Sequence, residues 1–270
     1  SSTPVTDGSS IFVSFLDQEQ MFIAAYDFDG NKIWEKRPGI FSSIHGYCSS
    51  PVLWKDKVII NGDHDGNAYI VALDAKTGKE IWKTPRPNKT RSYCTPLLRV
   101  IRGRNQLILS GSKSVASYDP DTGKQHWVID GPTDQFVASL VYDEKYLYMT
   151  CGFPTKHMMA IDPTGSGNVT ETHVIWHTRR DASYVPSPVV VDGFYVAVSD
   201  SGTGTCRKAR EGELLWKQKL GREHSASLIV LRDHVVFSSE KGVITVVKPG
   251  KEFQQVARME LSEPLWASPV

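Results

Sequence analysis

Apolar residues along this chain come in short runs, each closed by a cluster of Asp, Gly, Asn or Lys. Residues 58–60, 107–109 and 189–191 are apolar at consecutive positions. That pattern predicts strands covered on both faces rather than strands with one face in water. Between residues 50 and 83 the runs predict four strands, at roughly 50–54, 57–61, 68–74 and 79–83. Asp56-Lys57, residues 63–67 and residues 75–78 supply the turns between them. No long helical pattern intervenes.

The four-run pattern recurs. Thr3-Pro4-Val5, Ser50-Pro51-Val52, Thr95-Pro96-Leu97, Ser139-Leu140-Val141, Ser187-Pro188-Val189, Ser227-Leu228-Ile229 and Ser268-Pro269-Val270 each open a period, at steps of 47, 45, 44, 48, 40 and 41 residues. A Gly followed four residues later by Trp closes most of them: Gly30 with Trp34, Gly78 with Trp82, Gly123 with Trp127 and Gly212 with Trp216. Trp176 follows a polar insertion at residues 162–172, which is expected on the surface. A period of ~40 to 50 residues made of strands is the signature of a β-propeller. The expected fold is therefore all-β, with four-stranded antiparallel blades at about 2–44, 45–90, 91–133, 134–181, 182–222 and 223–262 in one domain. Residues 263–270 open a further blade. Both ends supply the same innermost strand, which fits a segment of a seven- or eight-bladed ring; a closed six-bladed ring with a spare tail is the alternative.

A four-stranded blade cannot bury its faces alone, so neighbours must stack. The repeating Trp is expected to wedge between blades, its indole N–H bonded to backbone. Asp74 starts the turn as a hydrogen-bond acceptor, and Gly78 supplies a positive φ. Asp119, Gly123 and Trp127 repeat this arrangement.

The AxDxxTGxxxW string at residues 72–82 resembles the tryptophan-docking repeat of the PQQ-like, or quinoprotein-type, β-propeller family. Residues 117–127 match it with Ser117 for the Ala, and residues 25–34 are one residue short. At residues 206–216 Lys208 replaces the Asp, and the sixth period lacks the Trp. The chain is similar over its whole length to bacterial secreted PQQ-like repeat proteins and to the outer-membrane assembly lipoprotein. The resemblance implies a periplasmic or secreted protein. It implies a non-enzymatic scaffold, or a propeller whose face binds a protein or small-molecule ligand. The alternative it implies is a PQQ-dependent oxidoreductase with cofactor residues diverged or outside this segment. Such enzymes hold PQQ with a vicinal Cys pair, a stacking Trp and calcium bound by Glu, Asn and Asp. No adjacent Cys pair and no such calcium ligands are legible here, so neither PQQ nor calcium is expected.

Among 270 residues, 31 Lys and Arg against 30 Asp and Glu give a net charge of +1, no basis for binding nucleic acid. No run of ~18 apolar residues suggests a membrane span. Cys48, Cys94, Cys151 and Cys206 form no CxxC pair. Cys48 and Cys94 hold equivalent places in successive repeats, which leaves a disulfide and two buried thiols both open.

Four residues before the successive Pro positions stand Tyr47, Ser92, Phe136, Tyr184, His224 and Leu265. In a propeller these would ring one mouth of the central channel, with His45 and Arg91 beside them. His45, Tyr47, Arg91, Phe136, Tyr184 and His224 are thus candidate ligand contacts, against the alternative of packing between blades. Asp63-His64-Asp65-Gly66-Asn67 alternates oxygen ligands as calcium loops do but lacks the later Glu, so a polar turn is expected. His157, His173 and His177 flank the insertion without metal-binding spacing. No catalytic residue is legible.

Overall fold

The computed structural model describes residues 2–269. Ser1 and Val270, the latter part of the expected further strand, lie outside them. The described residues contain no helix and fold into six sheets, each built on a meander of four antiparallel strands in chain order, with a fifth strand added to the third. In the second, Val52–Trp54, Lys57–Gly62, Tyr69–Asp74 and Glu80–Pro85 lie within two residues of the expected strands. The chain forms two compact units of three sheets each, one reaching residue 135 and taking in 164–169, the other comprising 136–163 and 170 onward.

In the first unit, alternate residues of the buried strands serve opposite faces. Val58 and Ile60 join a core with Phe12, Ile23 and Trp34 of the first sheet, whereas Ile59 joins Leu107, Leu109 and Tyr118 of the third. This two-sided burial is why the runs are apolar without alternation. The second unit repeats the scheme: Tyr195 and Ala197 meet Tyr148 and Met158, while Val196 and Val198 meet Val235 and Phe237.

The repeat string acquires a geometric meaning from strand register. Ala25 lies opposite Trp34, Ala72 opposite Trp82, Ser117 opposite Trp127, Ala160 opposite Trp176 and Cys206 opposite Trp216. A small side chain leaves room for the indole beside it. In the sixth sheet the sizes exchange, with Val246 opposite Ala257. A bulge follows each of these pairs and swings the chain into the turn. There Asp74 accepts hydrogen bonds from the Thr77 N–H at 2.8 Å and the Thr77 hydroxyl at 2.7 Å. At Lys208 the backbone bonds of the turn persist without the Asp.

The glycines of these turns do more than adopt positive φ, +68° at Gly78 and +72° at Gly123. A Cβ on Gly78 would come within 2.7 Å of the Trp34 ring, and one on Gly123 within 2.5 Å of Trp82. Each glycine is the floor on which the preceding sheet's indole rests. The indole N–H then reaches the neighbouring turn: Trp34 to Ala75 O at 2.9 Å, Trp82 to Pro120 O at 3.2 Å and Trp176 to Ala209 O at 2.7 Å. Two tryptophans depart from the expected backbone bond. Trp127 donates to the Gln106 side-chain carbonyl of its own sheet at 2.9 Å, and Trp216 packs edge-on against Phe253 with its buried N–H unpartnered.

The Ser or Thr opening each period has an equally concrete role. In the first unit the Thr3 N–H donates to Ser50 Oγ and the Ser50 N–H to Thr95 Oγ1, at 3.0 and 3.1 Å. In the second, Ser139 donates to Ser187, Ser187 to Ser227 and Ser227 to Ser268, at 2.9, 3.1 and 2.9 Å. The hydroxyl of one sheet thus satisfies an amide that the preceding sheet's innermost strand leaves over. The Pro that usually follows has no N–H to satisfy.

The insertion is exposed at residues 166–168, as expected, and also forms a strand. Gly167–Asn168 pairs in parallel with Gln125–Asp130, as a fifth strand on the third sheet. Val169 is buried, and Asn168 Nδ2 donates to Asp130 at 2.7 Å. An outer strand has unpaired backbone groups, and a polar segment long enough to reach it satisfies some of them. Composition alone marked this segment as surface.

Candidate functional site

The six candidate contacts fall three to a unit. In the first, Tyr47 is buried in the hydrophobic core, edge-on to Phe41 with ring centroids 5.2 Å apart. Burial pushes its phenol pKa well up. His45 is exposed, 6.2 Å from the Tyr93 ring. Arg91 is ion-paired with Asp65, and the Tyr93 hydroxyl lies 3.3 Å from Ser43 Oγ. His45 and Arg91 therefore flank Tyr93, whereas Tyr47 is a packing residue.

In the second unit Phe136 is fully buried. Tyr184 and His224 meet at Asp200 instead. The Asp200 carboxylate accepts the Tyr184 and Val185 amides, each at 3.0 Å, together with Lys156 Nζ. Its backbone carbonyl accepts the His224 N–H at 3.0 Å. Burial alone would raise the Asp200 pKa; Lys156 and the two amides outweigh it and hold it low. His224 is buried with Nδ1 unpartnered, and burial lowers its pKa. Asp200 was not a sequence candidate. Its signal was present in Ser199-Asp200-Ser201-Gly202, repeated forty residues on as Ser239-Glu240-Lys241-Gly242, where Glu240 bonds Ser225.

Two further constellations escaped the sequence reading. Asp63, read as a turn residue, is fully buried with Arg86. Arg86 Nε and Nη2 meet the two carboxylate oxygens at 2.9 and 3.2 Å, Nη1 donates to the Tyr118 hydroxyl at 2.7 Å and Nη2 to Gly111 O at 2.8 Å. Ser92 Oγ donates to the same carboxylate at 2.9 Å. These partners come from the second and third sheets and the loop between them, so the pair clamps the two sheets together. Burial works against the Arg86 charge, but Asp63 and Tyr118 outweigh it and raise its pKa. Two other residues of this polar turn are also engaged: His64 Nδ1 accepts the Ser42 N–H at 3.1 Å, and Asp65 holds Arg91.

The second constellation is a histidine pair. His157 lies in the strand His157–Ile161 and His177 in Val174–Thr178, whose register places Met159 opposite His177. The histidines are therefore diagonal neighbours on one face. Their rings stack at 5.0 Å with Nδ1 of His157 2.7 Å from Nε2 of His177, and Thr155 Oγ1 bonds the other His157 nitrogen at 2.8 Å. His173 instead bonds Thr172. Burial, reinforced by His177 and Arg179, holds the His157 pKa down to about 4.

This neutral buried imidazole has a consequence for acid stability. Below its ordinary pKa of ~6.5 the unfolded chain takes up a proton that the folded chain refuses until the pH reaches about 4. Stability is expected to fall as pH drops through that window, with His177 acting in the same direction. Denaturant midpoints measured at about pH 7 and pH 4.5 should differ less in His157→Gln than in the parent. Equal acid sensitivity in the two proteins would contradict the assignment.

The four cysteines are thiols rather than disulfides, and burial pushes the Cys94 thiol pKa up to about 12. Among the described residues no three His, Cys, Asp or Glu side chains gather into a metal-binding group. The sequence contains no adjacent cysteines.

Six repeated four-stranded sheets, pinned by tryptophans on glycine floors and by a hydroxyl ladder, define a PQQ-like β-propeller repeat protein. A family profile described as outer membrane protein assembly factor BamB matches residues 1–218 and again 160–251, and the chain belongs to that family. The crystal structure of BamB from Moraxella catarrhalis superposes with a TM-score of 0.71 over 98% of this chain and 78% of that one, at 15% identity. Quinohemoprotein alcohol dehydrogenase ADH IIB from Pseudomonas putida is 33% identical over 117 residues, which is 39% of this chain and 16% of that protein. A quinohemoprotein alcohol dehydrogenase from Comamonas testosteroni is 34% identical over 111 residues, 36% of this chain and 15% of its own length. The match spans about a sixth of these curated relatives. No helix among the described residues is long and apolar enough to cross a membrane.

Proposed function

We infer that this chain is a non-enzymatic, extracytoplasmic scaffold whose propeller face binds a protein or small-molecule partner. The observation that carries this reading is the family match across most of the chain to outer membrane protein assembly factor BamB. The fate of the polar side chains supports it. Asp63, Arg86, Asp200 and Glu240 are committed to holding loops and sheets. Such residues make the scaffold rigid, as a binding face requires. The absence of adjacent cysteines argues against a bound quinone, and a net charge of +1 gives no electrostatic drive towards nucleic acid.

A second reading, a quinoprotein-like oxidoreductase, rests on the 33% identity to the Pseudomonas putida dehydrogenase. One experiment separates the two. Purified protein supplied with PQQ and calcium is expected to show no dye-linked alcohol oxidation and no new visible absorption. Crosslinking in the native cell envelope should recover a discrete protein partner. Cofactor-dependent dye reduction would overturn the scaffold reading.

A further inference from the structure

In the second unit, Met158 and Ala160 face the core that they share with Tyr195. Alternation along the strand His157–Ile161 puts His157 and Met159 on the opposite face. Strand register completes that face, because Met149 and His177 lie on either side of Met159. One row across the sheet therefore reads Met149, Met159, His177, with His157 diagonal to His177. Both methionines and His157 are buried, whereas His177 is exposed and opens the row to solvent at one end. His157 Nδ1 and His177 Nε2, 2.7 Å apart, share one hydrogen. Two imidazole nitrogens thus address a single point, and a cation of suitable chemistry can replace the hydrogen there.

The donor set selects that cation. Among the described residues no Cys, Asp, Glu or third His joins the pair in a group that could hold a metal. Calcium and magnesium lack their oxygens, and zinc lacks the four protein ligands of a structural site. Two imidazoles beside a thioether suit a soft ion. Charge argues the same way: the Arg179 guanidinium lowers the pKa of both histidines, and its field opposes a monovalent ion half as strongly as a divalent one. Burial keeps His157 neutral at physiological pH, so no proton competes for Nδ1.

We propose that His157 Nδ1 and His177 Nε2 bind one Cu(I) ion, with the Met159 thioether as third donor. The two nitrogens must part to about 3.5 Å, as trigonal coordination with metal–imidazole bonds of about 2 Å requires, and the exposed His177 supplies the movement. No proton is lost, because the hydrogen on His177 Nε2 moves to its Nδ1 through solvent. Thr155 Oγ1, 2.8 Å from His157 Nε2, accepts the hydrogen on that nitrogen and fixes the ring. The assignment goes beyond the scaffold reading and does not depend on it.

The test is NMR titration of the whole chain, isotopically labelled in its histidine ring nitrogens, with Ag(I) as an air-stable probe of the same charge and softness. Cys48→Ser is the background, so that the half-buried thiol does not compete. A saturable shift of the His157 and His177 ring nitrogens is expected, with the other histidines unmoved. His177→Gln should abolish the response at His157, and Thr155→Val and Met159→Leu should each weaken binding about tenfold. Cys151→Ala, which removes the thiol of the residue paired with His157, should leave the affinity unchanged. Backbone amide spectra matching the parent's away from the pair would show that the variants fold. No shift at either ring, a response lost in Cys151→Ala, or an equal response to Zn(II) would overturn the proposal.

Discussion

Arg86→Met is expected to cost about 3–5 kcal/mol of stability, because it strands a carboxylate that has no access to water. Asp63 and Arg86 are both fully buried, and Arg86 also serves the Tyr118 hydroxyl and the Gly111 carbonyl. Removing the guanidinium takes a donor from three groups at once, leaving the Asp63 carboxylate with Ser92 and the Gly111 carbonyl with Ser114. In a chain of this size that loss corresponds to a fall in melting midpoint of roughly 10 °C. The double variant Asp63→Leu, Arg86→Met should recover part of the loss, since a buried ion pair is often no more stabilising than apolar residues of similar volume. Thermal unfolding of the parent, both single variants and the double variant measures the coupling. Additive losses would show that the two side chains do not act as a pair.

Trp82→Ala should be comparably damaging, at about 3–5 kcal/mol, the usual cost of truncating a buried aromatic ring. The ring is 9% exposed, sits over Gly123 and belongs to the core shared by the second and third sheets. Trp82→Phe keeps most of the apolar contact and loses the bond to Pro120 O, a loss of about 1 kcal/mol. Trp266 is a matched control: at 67% exposure its truncation should change stability by less than about 0.5 kcal/mol. A melting midpoint unmoved by Trp82→Ala would remove the indole from the set of contacts that join sheet to sheet.

Much of the architecture was legible because the repeat is local. A bulge, a glycine turn and a small residue facing an indole are all encoded within about a dozen residues, so residues 72–82 carry them complete. The candidate contacts were less legible. Equivalent sequence positions led to six residues, but the structure buries Tyr47 and Phe136 in packing and gathers Tyr184 and His224 at Asp200. Position within a repeat fixes where a side chain starts, whereas the neighbours it meets come from another repeat. The Trp127 bond departs in a different way: its repeat string is intact, yet the donor turns to Gln106 within its own sheet.

By itself, the sequence determined the all-β class, about six repeated sheets, the strands and turns of the second, and the family, because periodicity and turn chemistry are short-range properties. Only the tertiary structure decided what the long-range partners are. Asp63 finds Arg86 across 23 residues, His157 finds His177 across 20, and residues 167–168 become a fifth strand on a sheet that ended near residue 130. Those pairings depend on burial and strand register, which set distances in space that spacing along the chain does not contain.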